Sequence, residues 1–450
     1  MGAAAVLLQE KGYQIEGGDI KFYPPMGDYL KSTGIPLYEL SKCDKEFYQK
    51  FDLIIVGNVV GGKSADARMI EELGIPFISF PEALGALVLS DLNVIGIAGT
   101  HGKTTTTYLF TQVFENLGLN PGYLIGGVME ERPSSRLGDG KYFFIESDEY
   151  DSAYFEKVSK FRHYEIDHLV LTSLEFDHGD IFKNVEEIKD QFRAILNKVQ
   201  GSFIVNMEYQ ASNELFRENK IIAPLFYYGK GSDIGPEIIK LGQEGSTFSL
   251  KLKNKKEEFE TNIVGLHNIL NLSTVILFAD NQGIPLEKIR KAIGNLKMVK
   301  RRQEFRGIYN GAVVVDDFAH HPRAVKLTID SVKLAYPTKK IVTIMEPNSA
   351  TARSKIFQKE FPESLLKSDK IILAKPQTST TIKDVGDLDC DLIAHDLNKK
   401  NKDIKIATDL KMLKGFIDEV ANKDSLLLIL SNGTCLGLWE SDFVVALKKN

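Results

Sequence analysis

The sequence predicts an α/β fold of parallel sheets covered by helices, and two observations support it. Short apolar runs alternate with helix-like stretches along most of the 450 residues, a pattern typical of parallel sheets built through helical crossovers. A glycine-rich turn at 99–102 separates an apolar run at 94–98 from a helix-like run at 108–114. Strand, glycine turn and helix in this order indicate a nucleotide-binding unit.

The pattern divides the chain into three predicted domains, and its length allows about two to four. They are expected at residues 1–90, 91–298 and 299–450. The first domain has strand-like runs at 53–56 and 76–79. The central domain has further strand-like runs after 94–98, namely 142–145, 169–172 and 203–206.

The pattern changes between residues 225 and 264 and then returns. Alternating residues at 248–252 predict antiparallel hairpins, and the charged run at 253–258 predicts a solvated turn. Helices are expected at about 266–282 and 286–295. The third domain has strand-like runs at 312–315, 341–344, 371–373 and 425–430.

Composition excludes several classes of function. Hydrophobic residues make up 43% and charged residues 26% of the chain, as in ordinary globular proteins. The net charge of −5 does not indicate the basic surface that nucleic-acid-binding proteins generally have. The three cysteines lack metal or disulfide spacing, which fits a reducing cytoplasm. No apolar run approaches the roughly 18 residues of a membrane span. We therefore predict a cytoplasmic protein without membrane or nucleic-acid partners.

Residues 99–106, Gly-Thr-His-Gly-Lys-Thr-Thr-Thr, predict a phosphate cradle. The glycines let backbone N–H groups approach an anion, and the helix N-terminus adds positive potential. Lys103 would reach the β- and γ-phosphates, and Thr104 would offer its hydroxyl to Mg²⁺. Ile97 stands where the strict P-loop pattern needs a glycine, so the match is to a shorter form. The residues expected at the nucleotide are Gly99, Thr100, His101, Gly102, Lys103, Thr104 and Thr105.

Two polar clusters follow predicted strands of the central domain. Residues 146–149, Glu-Ser-Asp-Glu, come directly after the strand at 142–145, and ligands of α/β sheets bind beyond the carboxyl ends of strands. Such a cluster beside a P-loop suits Mg²⁺, although four polar residues can also form a plain solvated turn. His178 lies among carboxylates after the next strand, where an imidazole can complete a divalent-metal shell.

Two further motifs supply candidate ligand contacts. His267-Asn268-x-x-Asn271 begins a predicted helix. Asn268 could cap that helix, or both asparagines could point from one helical face at one ligand. In the third domain Arg301-Arg302 precede a strand that ends near Asp317 and His320. Five of the eight histidines, His101, His178, His267, His320 and His321, fall in these few motifs, which indicates a single site.

In its motifs the chain resembles the Mur ligases, ATP-dependent amide-forming enzymes of bacterial cell-wall synthesis. Five motifs occur in the order found in that family: G-T-H-G-K-T-T, E-x-D-E, E-x-D-H, G-x-H-N-x-x-N and D-D-x-x-H-H-P. The resemblance runs from about residue 13 to the C-terminus. It implies an N-terminal Rossmann-like UDP-sugar domain, a central P-loop ATPase-like domain with a parallel sheet, and a C-terminal Rossmann-like domain that closes over the site.

Four segments are similar to the subgroup that recycles murein peptide: 23–26, 149–155, 174–178 and 431–433. The implied reaction joins UDP-N-acetylmuramate to L-alanyl-γ-D-glutamyl-meso-diaminopimelate through an acyl phosphate, in a monomeric enzyme. The alternatives are the L-alanine-adding ligase of the same family and an inactive nucleotide-binding relative. A P-loop kinase or GTPase would leave Asp317 and His320 unexplained.

The resemblance also implies roles for the candidate residues. Lys103 and His178 would be catalytic, and Thr104, Glu146 and His178 would hold Mg²⁺. ATP would further contact His267, Asn268, Asn271, Arg302, Asp317 and His320.

The sequence departs from the family pattern in two places. Residues 190–193 offer no lysine where many members carry a carbamoylated one, as expected for the L-alanine-adding and murein peptide subgroups. The resemblance implies that the first strand and most of the UDP-contacting glycines of the N-terminal domain are absent here, and residues 3–9 resemble the helix expected after that strand. We therefore expect a shortened first domain that leaves ATP binding intact and weakens binding of UDP-N-acetylmuramate.

Overall fold

The computed structural model describes residues 1–23, 26–127, 129, 132–242 and 245–448. It confirms an α/β fold, which forms a first, a central and a third unit along the chain. Pro24 and Pro25 of the segment at 23–26 lie outside the described residues. Among the described residues no helix is long and apolar enough to cross a membrane.

The first unit contains two separate parallel strand pairs rather than one sheet, as far as residues 1–23 and 26–90 are described. β1 pairs with β2, and β3 pairs with β4. A cavity of about 650 Å³ is lined by residues of β1, β2 and β3. The elements are α1 (Gly2–Glu10), β1 (Gly17–Asp19), α2 (Met26–Ser32), β2 (Leu37–Glu39), α3 (Lys45–Tyr48), β3 (Ile54–Val56), α4 (Ala65–Glu72), β4 (Phe77–Ser79) and α5 (Phe80–Leu84).

The predicted helix at 3–9 is confirmed as α1, and it joins the first unit to the central unit. Ala4, Leu7 and Leu8 are buried in one apolar cluster with the central sheet. The Ser135 hydroxyl donates to the Ala3 carbonyl at 3.0 Å. This packing fixes the amino end of the chain beside the central unit.

The central unit contains a largely parallel sheet covered by helices, together with shorter strands outside that sheet. Its strands are β5 (Asn93–Ala98), β6 (Gly122–Leu124), β7 (Ser135–Arg136), β8 (Tyr142–Ser147), β9 (Asp151–Ala153), β10 (Glu156–Ser159), β11 (His168–Leu171), β12 (Ser202–Asn206), β13 (Leu225–Tyr228), β14 (Glu237–Leu241), β15 (Ser246–Leu252) and β16 (Lys255–Thr261). Its helices are α6 (Lys103–Asn116), α7 (Val185–Arg193), α8 (Gln210–Glu218), α9 (Leu266–Asn281) and α10 (Leu286–Ala292).

The strand order of this sheet determines where a ligand can bind. Within the described residues the order is β13-β12-β11-β5-β8-β6-β7, with β7 antiparallel. β5 therefore lies between β8 on one side and β11 on the other. The strands that follow β5 in the sequence are placed on both sides of it. Such a switch point opens a crevice at the carboxyl ends of the strands. The glycine turn follows β5, the acidic cluster spans the last two residues of β8 and the two residues after it, and the segment before His178 follows β11.

The hairpins near residues 225–264 are confirmed, but the predicted turn at 253–258 is wrong in part. Lys253 and Asn254 turn the chain at positive φ, and Lys255 onward forms β16. β16 is an edge strand of the small sheet β14-β15-β16. An antiparallel edge strand can carry charged side chains on its solvated face.

The third unit is a second mostly parallel sheet, in the order β17-β18-β22-β19-β20-β21 over the described residues. Only the hairpin partner β17 is antiparallel there. The elements are β17 (Glu304–Tyr309), β18 (Ala312–Asp317), α11 (Pro322–Ala335), β19 (Lys340–Glu346), α12 (Glu360–Leu365), β20 (Lys370–Ala374), α13 (Cys390–Lys399), β21 (Asp403–Ala407), α14 (Leu410–Val420), β22 (Ser425–Ser431) and α15 (Asp442–Ala446). The four predicted strands correspond to β18, β19, β20 and β22.

The junction between the central and third units is short. Lys297 is tied to the central unit, because its N–H and carbonyl both bond the Gln112 amide at 2.7 and 2.8 Å. Val299 is buried in the central core. Arg301 is already tied to the third unit, where its guanidinium donates to the carbonyls of Ser431 and Gly433. The two units are thus connected through residues 298–300.

We expect the third unit to rotate about residues 298–300 when an ATP analogue and the UDP-sugar bind together, because sites completed by two domains are commonly closed by hinge motion. Small-angle X-ray scattering should show a smaller radius of gyration with both ligands than without them. Identical scattering curves in the two states would contradict this expectation.

Candidate active site

The glycine turn forms a cradle between β5 and α6. Gly99 and Gly102 both have positive φ, at 132° and 86°. A Cβ on Gly99 would lie 2.4 Å from the Thr172 hydroxyl, so no side chain fits there. Thr100 and His101 are fixed to the chain after β11: the Glu175 N–H donates to the Thr100 hydroxyl at 2.9 Å, and the His101 N–H donates to the Ser173 hydroxyl at 2.7 Å. The turn and helix N-terminus therefore form the arrangement that binds phosphate.

Lys103 is the first residue of α6 and lies against the acidic cluster. Its ammonium donates to the Gly99 carbonyl at 2.6 Å and to the Glu149 carboxylate at 3.0 Å, and lies 3.8 Å from Asp148. Burial alone would lower the pKa of Lys103, but the charges of Glu149 and Asp148 outweigh it and raise that pKa. The Lys103 ammonium therefore stays protonated at the cradle, where 14% of the side chain is exposed.

Thr104 and Glu146 form a second contact beside Lys103. The Thr104 hydroxyl donates to one Glu146 oxygen at 3.1 Å, and the Gly126 N–H donates to the other at 2.7 Å. Burial raises the pKa of Glu146 despite these hydrogen bonds. A hydroxyl and a carboxylate oxygen this close together are ligands of the type that Mg²⁺ takes. Thr105, the next residue, is buried within α6.

His178 contacts Glu149 rather than Glu146. Its Nε2 lies 3.4 Å from a Glu149 oxygen, and its ring lies 4.2 Å from that of Tyr150. Burial would lower the pKa of His178, but Glu149 and Asp177 raise it. Ligand atoms of Asp148, Glu149 and His178 lie within 4.8 Å of one another. These three residues could hold a cation as a group.

The three predicted metal ligands thus lie in two contacts: the Thr104 hydroxyl pairs with Glu146, and His178 pairs with Glu149. Lys103 contacts Glu149 at 3.0 Å and precedes Thr104 in the chain, so both contacts lie at the start of α6. Glu149 was part of the predicted acidic cluster but was not assigned as a ligand. Its position three residues after Glu146, beyond the end of β8, is the signal that could have identified it.

His267, Asn268 and Asn271 lie at the start of α9 on the other side of the cradle. Asn271 approaches the glycine turn, since a Cβ on Gly102 would lie 3.1 Å from its Oδ1. Asn268 does not cap the helix; it donates to the Val264 carbonyl at 2.9 Å. His267 Nε2 contacts the Gln303 amide nitrogen at 3.0 Å. Burial lowers the pKa of His267 to about 4, which keeps the ring neutral.

The Nδ1 atom of His267 is buried and lacks a hydrogen-bond partner among the described residues. Because Nε2 accepts from the Gln303 amide, the proton of the neutral ring lies on Nδ1. A buried donor without a partner costs about 1–3 kcal/mol. This donor fits the acceptor nitrogens of a nucleotide base.

The third unit contributes the turn at 301–303. Arg301 and Gln303 have positive φ, and Asp317 holds the turn by accepting from the Gln303 N–H at 2.9 Å. Asp317 also accepts from the Ala319 N–H at 2.8 Å. Its carboxylate therefore shapes the turn that presents Arg302, whose guanidinium lies 5.0 Å from the Phe318 ring centre. Gln303, which contacts both His267 and Asp317, was not predicted from the sequence.

His320 lies just beyond this turn, and its Nδ1 donates to the Phe318 carbonyl at 3.0 Å. Burial lowers its pKa. The structure therefore brings neighbouring motifs of the central and third units together, while direct contact of Arg302, Asp317 and His320 with a nucleotide stays a prediction.

Comparison with known protein families gives matches along most of the chain. Residues 1–91 match the description "Mur ligase family, catalytic domain", residues 97–279 match "Mur ligase middle domain", and residues 301–433 match "Mur ligase, glutamate ligase domain". These matches agree with the family resemblance of the five motifs.

Individual relatives cover most of the chain. The UDP-N-acetylmuramate–L-alanyl-γ-D-glutamyl-meso-2,6-diaminoheptandioate ligase of Escherichia coli is 34% identical over 389 residues, 84% of this chain and 82% of that protein. The UDP-N-acetylmuramate–L-alanine ligase of Lactiplantibacillus plantarum is 30% identical over 377 residues, 83% of this chain and 81% of that protein. A crystal structure of a murein peptide ligase from Psychrobacter arcticus aligns with a TM-score of 0.69 at 28% identity, covering 99% of this chain and 96% of that chain.

Replacing Lys103 by alanine should lower turnover by about 10³-fold or more, because the phosphate charge in the transition state would lose its cation. The variant also leaves Glu149 without its ammonium partner, so circular dichroism must show that the fold is intact. Near-normal turnover in a folded Lys103→Ala protein would contradict the P-loop assignment.

Replacing Glu146 by glutamine should weaken Mg²⁺ binding by about 10-fold or more, because the side chain loses its charge and keeps only one of the two acceptor oxygens that Thr104 and Gly126 use. Isothermal titration with MgCl₂ and an ATP analogue measures this change. Glu115→Gln is the matched control, since Glu115 pairs with Arg132 and Arg136 away from the cradle. Equal Mg²⁺ affinities of wild type and Glu146→Gln would refute the role of Glu146.

Proposed function

The chain belongs to the Mur ligase family, and we propose that it joins UDP-N-acetylmuramate to L-alanyl-γ-D-glutamyl-meso-diaminopimelate with ATP. Members of this family are ATP-dependent ligases that form amide bonds. The observation that supports the activity most directly is the meeting of Lys103, Glu149 and His178 beside the Thr104–Glu146 pair at the switch point of the central sheet.

The choice of a peptide as the acceptor has separate support. The Escherichia coli relative, whose name contains this peptide, is 34% identical to the chain, and the relative named for L-alanine is 30% identical. The difference is small, so the L-alanine-adding reaction is the second candidate, and a direct assay must distinguish the two.

The residues present fit ATP with a divalent cation. The glycine turn would receive the phosphates, and the Nδ1–H of His267, which has no partner in the described part of the chain, suits the base. Thr104, Glu146 and His178 would hold Mg²⁺, with Glu149 next to His178 as a further carboxylate. Bound there, Mg²⁺ would neutralise the charge that develops on the transferred phosphoryl group.

Lys103 would act on the same charge from the protein side. Its raised pKa keeps the ammonium protonated, and its position at the first residue of α6 directs it to the cradle. Because the cation is already fixed and buried, little reorganisation is needed when negative charge shifts along the phosphates. His178 is oriented by Glu149, so its ring stays beside the cation site.

The reaction that we propose needs no nucleophilic side chain. The substrate carboxylate attacks the γ-phosphate, which gives an acyl phosphate and ADP. The peptide amine then attacks the acyl carbon, loses a proton, and inorganic phosphate leaves. The protein binds, orients and neutralises charge, which is how phosphoryl-transfer sites generally act.

We further propose how the chain is organised around this reaction. The first unit, up to about residue 90, binds the UDP-sugar, and the third unit, from about residue 299, binds the peptide. The enzyme acts as a monomer in the cytoplasm, where ATP is available. The net charge of −5 argues against nucleic acid as a partner.

The test is phosphate release with ATP, MgCl₂ and UDP-N-acetylmuramate, comparing the tripeptide with free L-alanine. We expect release that depends on both the UDP-sugar and the tripeptide, and mass spectrometry should detect the UDP-linked peptide. Turnover with L-alanine but not with tripeptide would establish the second candidate. ATP binding without turnover on either acceptor would indicate an inactive nucleotide-binding relative.

A further inference from the structure

A second group of titratable side chains lies where the third unit meets the P-loop. It consists of His101 of the glycine turn, Glu175 after β11 and His321 at the start of α11. Their ligand atoms lie within 4.8 Å of one another. His101 Nε2 lies 3.2 Å from a Glu175 oxygen, and the His101 and His321 rings lie 4.5 Å apart.

The hydrogen bonds of this group argue against a metal centre. His321 Nδ1 accepts from the Arg323 N–H at the start of α11. The proton of the neutral ring is therefore on Nε2, which removes the lone pair that a metal would need. The second Glu175 oxygen is already paired with a cation, the guanidinium of Arg323, at 3.1 Å. The group is better explained as part of a contact between two units.

Arg323 makes that contact through three groups of the central unit. Besides the ion pair with Glu175, its guanidinium carbon lies 3.9 Å from the centre of the Tyr209 ring, and an N–H lies 3.4 Å from the Glu208 carbonyl. A planar guanidinium can stack on an aromatic ring and pair with a carboxylate at once, which a lysine cannot do as well. Arg323 therefore contacts the central unit in a defined orientation.

Glu175 connects this contact to the phosphate cradle. Its N–H donates to the Thr100 hydroxyl, and that hydroxyl donates to the Glu175 carbonyl at 3.2 Å. Its side chain reaches His101. Both Thr100 and His101 belong to the glycine turn, so a displacement of Glu175 would be transmitted to the backbone that receives the phosphates.

We propose that Arg323 is a positioning residue for the ATP-dependent reaction, which holds the third unit against the glycine turn through its ion pair with Glu175. A second contact of the same two units supports a closed arrangement here: the Gly179 N–H donates to the Thr351 hydroxyl at 3.0 Å. The proposal rests on ATP binding at the cradle and is independent of which acceptor the enzyme uses.

The test compares Arg323→Ala, Arg323→Lys and Lys326→Ala in steady-state kinetics with saturating acceptor. Lys326 is an exposed lysine of the same helix, so its removal changes the charge by the same amount. We expect kcat of Arg323→Ala to fall about 10-fold, because a small misplacement of reacting groups is costly. KM for ATP should change less than about 3-fold, since Lys103 and Thr104 stay in place. Arg323→Lys should recover part of kcat, and Lys326→Ala should match wild type.

A double-mutant cycle with Glu175→Gln tests whether Arg323 acts through Glu175. The two changes should be non-additive, so that the double variant is no slower than the slower single variant. Additive losses, or wild-type kcat in Arg323→Ala, would overturn the proposal. So would a loss confined to KM for ATP.

Direct ATP binding separates this proposal from the proposed function. A fluorescent ATP analogue should bind wild type and Arg323→Ala with similar affinity. If wild type does not bind ATP, the proposed function fails. If wild type binds ATP and turns over while Arg323→Ala keeps its full kcat, only the positioning role of Arg323 fails.

Discussion

The buried ion pair between Lys103 and Glu149 is the interaction on which the site depends. Lys103 lies within reach of three carboxylates, that of Glu146 near the end of β8 and those of Asp148 and Glu149 just beyond it, and they raise its pKa. Carboxylates taken out of water need a cation and hydrogen bonds close by. Lys103 is held by α6 and by its hydrogen bond to the Gly99 carbonyl, so its ammonium offsets this negative charge from a fixed position. The Lys160 ammonium also offsets part of this negative charge, because it lies 3.2 Å from an Asp148 oxygen.

The order of strands explains why these groups meet. β5, β8 and β11 are neighbours in the central sheet, and each is followed by one of the polar motifs. Motifs separated by dozens of residues in the sequence therefore end at the same edge of one sheet. The rule that ligands bind beyond the carboxyl ends of parallel strands was enough to predict that the P-loop, the acidic cluster and the segment at His178 belong together.

Other contacts could not be predicted, because they depend on how distant segments pack. The pairing of His178 with Glu149 instead of Glu146 depends on where the loop after β11 crosses the end of β8. Gln303 has an unremarkable sequence context, yet it touches His267 across the boundary between two units. β17 and β21 lack long apolar runs. They form strands because each pairs with a neighbour in the sheet of the third unit, β17 with β18 and β21 with β20. The charged β16 shows that an edge strand needs only one apolar face.

Burial keeps the boundary between the central and third units nearly free of like-charge repulsion. Burial lowers the pKa of His321 to about 3, and it also lowers that of His320, so both rings are neutral at physiological pH. Were His321 protonated, it would face His101 at ring distance 4.5 Å and lie beside Arg323. Since it is neutral, His321 adds no positive charge beside Arg323, whose ion pair with Glu175 is attractive. The neutral rings therefore add no repulsion where the third unit lies beside the glycine turn, and the ion pair of Arg323 with Glu175 orients the contact between the two units.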